Sequence, residues 1–260
     1  GAGFGITTVN YTGHYTHTEQ DLENNVFDFV DFTYTDHFDA DGKGWNFKIG
    51  AIFRPVEMLR IGFSFATPTY YNIDESYFSN LSSYLNLDTP NDPSDDFEGT
   101  TETDPNIYSY KLNTPYRINT GIALQIGTMG FVSADYEYVD YSSAKFIKGV
   151  DGYDFIPENE DIGLELKGAH NLRLGGEVRF GPAYIRGGYR YYGSAFKSGS
   201  LNENAYYNGY SAGVGYRQNK FFIDLAFSGL INSENYMMYP SAWLEPVNIH
   251  NHDKRLTATV

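Results

Sequence analysis

The sequence predicts an all-β protein, a transmembrane antiparallel β-barrel, and three observations predict it. Segment after segment alternates between apolar and small or polar residues. Short corners take turns with long polar excursions, as in spanning barrels, where tight turns lie on one side of the membrane and long loops on the other. Full charges recur in mid-strand on the face that is not apolar, where a polar lumen accepts them.

The bulk composition agrees. A chain of 260 residues suits a single all-β domain, and it is rich in Tyr (24), Phe (19) and Gly (27). No apolar run of about 20 residues occurs, which excludes a spanning helix but not strands of about 10 residues each. The net charge of −15 argues against nucleic acid as a partner. Cysteine is absent, so neither a disulfide framework nor thiol chemistry is available. The chain opens on GAGFGITTV and closes on KRLTATV, both already inside alternating patterns, so it reads as a piece of a longer protein, one partial domain over residues 1–260.

In order, the first alternating run carries Ala2, Phe4 and Ile6 toward Tyr15, and a polar excursion follows over about 17–44. Trp45, Phe47, Ile49, Ala51 and Phe53 then alternate with Asn46, Lys48 and Gly50, Ile52 being the one misfit. Arg54-Pro55-Val56-Glu57 makes a corner, and Leu59, Ile61, Phe63 and Phe65 oppose Arg60, Gly62, Ser64 and Ala66. A second excursion covers about 71–109; within it Tyr77, Phe78, Leu81, Tyr84 and Leu85 recur at three and four residues, which predicts a short amphipathic helix over 75–87. Strands follow at Tyr116–Ile126 and Val132–Tyr138 around Gly127-Thr128-Met129-Gly130, and an acidic excursion spans about 142–168. Leu172–Phe180 and Ile185–Tyr191 flank the corner Phe180-Gly181-Pro182. Beyond a loop over about 193–207, Tyr210–Tyr216 and Phe221–Phe227 flank Arg217–Lys220, and a last loop over about 232–253 precedes the final strand. About ten strands result, with Tyr70, Tyr71, Tyr138, Tyr141, Tyr191 and Tyr192 at strand ends as an interfacial aromatic girdle.

The non-apolar parity holds Arg60, Arg117, Arg173, Arg179, Arg186, Arg190 and Arg217 with Asp135, Glu137, Glu177 and Asp224. Most of these suit a cross-strand ion ladder. Arg186 and Arg190, on one face with Tyr184 and Tyr192 beside them, are the candidates to hold a carboxylate head group. His14 with His17, and His250-Asn251-His252, offer imidazoles without a third ligand, and Asp36, Asp39 and Asp41 lack the spacing of a calcium loop, so no metal site and no cofactor is expected. An enzyme is not expected either: G-x-S-x-G is missing, and His250, His252 and Asp253 make no convincing triad.

GWNFKIGAIFRPVEMLRIGFSFATPTYY and LNTPYRINTGIALQIGTMGFVSADYEYVDYS resemble the FadL/TodX family of outer-membrane transporters of hydrophobic compounds, in the form common among Bacteroidetes. The resemblance implies a fourteen-stranded barrel plugged by an N-terminal hatch, of which this chain holds the last ten strands. It implies that the excursions at 17–44 and 71–109 form an external hydrophobic groove, which hands ligand to an inner pocket and out through the barrel wall. Phe27, Phe29, Phe32, Phe38, Phe78, Leu81, Tyr84 and Leu85 are the candidate groove residues, more apolar than solvated loops need; the alternative is that the two loops pack on each other as a cap. The expected function is passive passage of fatty acids or aromatic hydrocarbons across a bacterial outer membrane, with membrane lipid and lipopolysaccharide around the barrel and a protein partner at the loops as a further option. A structural barrel subunit of a secretion or uptake assembly, and a barrel hydrolase, are the alternatives.

Overall fold

The computed structural model describes residues 1–260 except 24, 25, 27, 87–96, 150–151, 219–220, 238–247 and 260; of residues 236–237 and 248–259 it describes the backbone alone. The strands are β1 (Ala2–Gln20), β2 (Phe29–Val56), β3 (Leu59–Ala66), β4 (Tyr70–Leu85), β5 (Phe97–Glu102), β6 (Asn106–Asn113), β7 (Arg117–Ile126), β8 (Gly130–Asp140), β9 (Lys145–Ile147), β10 (Gly168–Phe180), β11 (Ala183–Tyr192), β12 (Tyr206–Gln218), β13 (Phe221–Met237) and β14 (Asn248–Thr259); one helix, α1 (Ile156–Glu165), precedes β10. All belong to one 14-stranded antiparallel sheet.

Ten of the strands form a barrel wall: β1, β2, β3, β7, β8, β10, β11, β12, β13 and β14 pair each with the next, an up-and-down meander. Among the described residues β1 pairs only β2, and β14 only β13. Apart from a shift between Phe53 and Val56 in β2, the register keeps one parity on one face of the wall. Phe63, Thr120 and Tyr136 lie in line on the apolar side, while Gly62, Gly121 and Asp135 lie in line on the other.

What the apolar parity lacks is a protein partner. Ile6 is 77% exposed, Phe53 65%, Ile185 53% and Val214 52%, whereas the buried apolar residues among those described are only Ala40, Ile73, Val139 and Ala169. A soluble sandwich would bury that parity between two sheets; here its large side chains stand outward, as lipid-facing residues do. The corners are tight. Gly181, between β10 and β11, has φ +61°, a left-handed backbone that glycine adopts without a Cβ clash.

The four remaining strands build a second layer of pairing above the wall. β2 is 28 residues long, about 90 Å at 3.3 Å per residue, far more than a bilayer needs. Its second half pairs β3 as Lys48↔Ala66 to Val56↔Leu59, and its first half pairs β4 as Phe29↔Leu85 to Trp45↔Tyr70. β5 and β6 join the far edge of β4, and β9 joins β6. The helix expected over 75–87 is therefore corrected to a strand as far as Leu85. The three-and-four spacing arises because both faces of a projecting ribbon carry apolar residues, and β2, β5 and β6 satisfy the backbone of β4 in turn. The excursion at 17–44 is likewise mostly strand, since β1 and β2 continue to Gln20 and from Phe29.

Candidate ligand path on the inner face

Along the lumenal parity Arg117, Arg173, Arg179 and Arg186 are paired with Glu137, Glu177 and Asp224. Glu137, buried, accepts from Arg173 Nη2 at 2.9 Å and Asn171 Nδ2 at 3.0 Å, with Arg117 at 3.8 Å. Glu177, also buried, accepts from Arg179 Nε at 2.9 Å and Arg186 Nε at 2.8 Å, and Arg186 reaches on to Asp224 at 2.8 Å. The ring of Tyr184 lies 5.0 Å from the Arg179 guanidinium carbon, 5.6 Å from that of Arg186 and 5.9 Å from that of Arg217. Arg186 is thus a ladder member with both sides of its fork engaged.

Arg190 is different. It faces Arg173 across β10 and Gly209 across β12, and it has no carboxylate partner among the described residues. Tyr192, one step along that face, takes a 3.4 Å bond from Arg173 Nε and lies 5.6 Å from its guanidinium carbon. A Cβ at Gly209 would stand 2.1 Å from Arg190 Nε, so the side chain lies across that glycine. Of the two candidate arginines, Arg190 alone has no carboxylate partner among the described residues.

Two concavities run along the same face. One of about 800 Å³ is bordered by Arg60, Gly62, Ser64, Asn119, Gly121 and Asp135. Another of about 670 Å³, toward β4, is bordered by Asn46, Lys48, Thr69, Tyr71, Arg117 and Glu137. Small residues make this room: at Gly62 the nearest atom to a built Cβ is 3.9 Å away.

The ribbon above continues the same parity, because β2 runs unbroken from wall to extension. Phe32, Tyr34, Asp36 and Phe38 share the lumenal side with Asn46 and Lys48, and their partners on β4 are Ser83, Leu81, Ser79 and Tyr77. Phe29, beyond a bulge, pairs Leu85 and lies 6.1 Å from Phe32. The structure thus brings Phe29, Phe32, Phe38, Leu81 and Leu85 onto one face. It places Phe78 and Tyr84 on the opposite face, where Phe78 stacks on His37 at 4.4 Å and His37 Nδ1 lies 2.8 Å from His14 Nδ1. Phe27 lies outside the described residues. His14 and His17 also point to opposite faces, and His17 Nε2 lies 2.9 Å from Glu19.

Sequence reading missed a polar knot set between the apolar residues of this groove. Tyr77 Oη and Ser79 Oγ donate to Asp36 Oδ1 at 2.6 and 2.7 Å, and Tyr34 Oη lies 3.0 Å from Ser79 Oγ. Burial pushes the Asp36 carboxyl up, but the hydroxyls of Tyr34, Tyr77 and Ser79 outweigh it and hold the group below its ordinary range. The same bond, first among its causes, pushes the Tyr77 phenol up to about 12. Alternation of Tyr and Ser with Asp at matched register was the available signal.

No protein-family model matches the sequence, and neither does any curated protein. Among solved structures the chain is similar to a Pseudomonas aeruginosa FadL homologue, at 12% identity and a TM-score of 0.39, over 98% of this chain and 66% of that one. It is also similar to the Ralstonia pickettii toluene transporter TbuX, at 15% identity and a TM-score of 0.33, over 99% of this chain and 67% of the other. The chain thus spans about two thirds of the length of either structure.

Proposed function

We propose that this chain is part of the wall of a bacterial outer-membrane barrel that passes hydrophobic small molecules, fatty acids or aromatic hydrocarbons, without catalysing a reaction. The observation that carries the reading is the unbroken parity of β2. Phe32 and Phe38 in the ribbon and Lys48 and Gly50 beside the lumenal concavities belong to one face of one strand. A molecule taken up by Phe29, Phe32, Phe38, Leu81 and Leu85 has a continuous surface to follow inward. Arg190, with no carboxylate opposite it, is the group to receive a carboxylate head on the way. Membrane lipid and lipopolysaccharide surround the wall in this reading.

Uptake by cells carrying the full-length protein tests it. Phe32→Ser with Phe38→Ser lowers entry of both oleate and toluene several-fold, whereas Arg190→Ala lowers oleate entry and leaves toluene entry unchanged. Equal uptake by all variants contradicts the path. Native mass spectrometry that finds a stoichiometric protein partner and no small ligand moves the weight to an assembly subunit.

A further inference from the structure

A cavity of about 560 Å³ in the extension lies toward β6, on the same face of β4 as Tyr77 and Ser79 but lined by none of the residues of this path, and its walls are aromatic and acidic. Tyr108 and Tyr110 come from β6, Phe146 from β9, and Tyr153 and Phe155 from the approach to α1. The rings are set against one another: Tyr110 lies 5.6 Å from Phe146 and 5.5 Å from Phe155, and Tyr153 meets Phe155 edge-on at 4.9 Å. Two devices fix them. Asn159 exchanges a pair of 2.9 Å bonds with the Phe146 backbone, and Phe155 is held at φ +54°, a left-handed conformation costly for a bulky residue.

Two carboxylates open into the same space. Glu75 accepts from Tyr110 Oη at 2.7 Å, and Glu158 accepts through Oε1 from Tyr153 Oη at 2.9 Å. The other oxygen of Glu158, Oε2, is shut off from solvent and has no hydrogen-bond partner among the described residues. Among the described residues no Lys, Arg or His borders the cavity, and neither glutamate has an ion pair. Burial first, and the bond to Glu75 next, hold the Tyr110 phenol above its ordinary range, so it stays a donor to Glu75. Two negative charges walled by aromatic rings and uncompensated by protein cations call for a positive ligand.

A hard metal ion needs six or more oxygens, and this lining offers mostly ring carbon. Aromatic faces with a carboxylate behind them suit a soft, poorly hydrated cation. We propose that this cavity binds a small free organic cation of the quaternary or alkylated ammonium class, its charge set between Glu75 and Glu158 and its methyl groups against Tyr108, Tyr110 and Tyr153.

The test is equilibrium dialysis of the full-length protein in detergent micelles against choline, phosphocholine and 3,3-dimethylbutan-1-ol, the uncharged isostere of choline. Choline binds at least tenfold more tightly than the isostere, and more tightly than phosphocholine, whose phosphate the carboxylates repel. Glu158→Gln and Glu75→Gln each weaken choline at least tenfold and leave the isostere unchanged, in variants whose unheated gel mobility shows a folded barrel. Equal binding of the isostere makes the cavity a site for neutral apolar molecules and overturns the proposal. Equal binding of phosphocholine overturns it in favour of a lipid head group, and no choline binding at millimolar concentration overturns it outright. Oleate and toluene uptake by the same variants is unchanged, which separates this site from the passage reading.

Discussion

At the scale of single residues, the two candidate arginines divide: Arg186 is tied into the wall by Glu177 and Asp224, while Arg190 has no carboxylate partner among the described residues. Glu177 anchors two guanidiniums, so Glu177→Ala leaves Arg179 and Arg186 without it; both are half-exposed, which reduces the loss to about 2 kcal/mol. Arg190→Ala costs less than about 0.5 kcal/mol, because no ion pair is lost. Urea titration of the refolded protein in phospholipid vesicles checks both values, and equal costs would contradict the division. Asp36 makes a second residue-scale case. Its carboxyl is held below its ordinary value of 3.8, so its contribution is fully present above that pH and disappears as the pH falls through the lowered folded value. Asp36→Asn should therefore speed hydrogen exchange of the β4 amides about fivefold at pH 7, the equivalent of about 1 kcal/mol, and make no difference once the pH has fallen below the lowered folded value. A difference that persists in acid would assign the effect to shape rather than charge.

At the scale of elements, what could be read in the sequence followed from how each strand is solvated. The wall strands were legible because one face of each meets lipid and the other a polar lumen, so Leu59, Ile61, Phe63 and Phe65 stand out against Arg60, Gly62 and Ser64. The ribbon was not, because both its faces are partly wet: β4 carries Tyr77, Leu81 and Leu85 on one side and Phe78 and Tyr84 on the other, which mimics a helical spacing. α1 was missed for want of an apolar stripe, as IPENEDIGLE offers only Ile156, Ile162 and Leu164. Residue type alone grouped the candidate groove residues, and only pairing sorts Phe78 and Tyr84 from the rest. The aromatic and acidic cavity had no local signal at all, since β4, β6, β9 and the approach to α1 each supply one part. The wall reading itself predicts an asymmetry. Leu174→Arg, on the apolar face of β10, costs about 2–4 kcal/mol in a bilayer, while Gly62→Arg, in the open lumenal concavity, costs less than about 1 kcal/mol. Stability in vesicles measures both, and similar costs would mean that the two faces do not meet different solvents.

At the scale of the molecule, the chain places its large apolar side chains outside and its buried charges inside, the reverse of a soluble domain. Phe4, Ile6, Phe53 and Phe63 are mostly exposed, while Glu137, Glu177 and Asn171 are buried. Only a surrounding hydrocarbon phase makes that arrangement favourable, since each outward Phe or Ile would otherwise forgo about 1.5–3 kcal/mol of burial. The sequence contains no cysteine, so single cysteines can be introduced along β7 and spin-labelled without a background. Collision with oxygen, which partitions into lipid, and with a water-soluble nickel chelate then reports the surroundings of each position in a bilayer. The account predicts strict alternation: oxygen contact at Ile118, Thr120, Ile122 and Leu124, and nickel contact at Asn119, Gly121, Ala123 and Gln125. Labels that collide with neither reagent on the apolar parity, or a profile without period two, would contradict a lipid-facing wall.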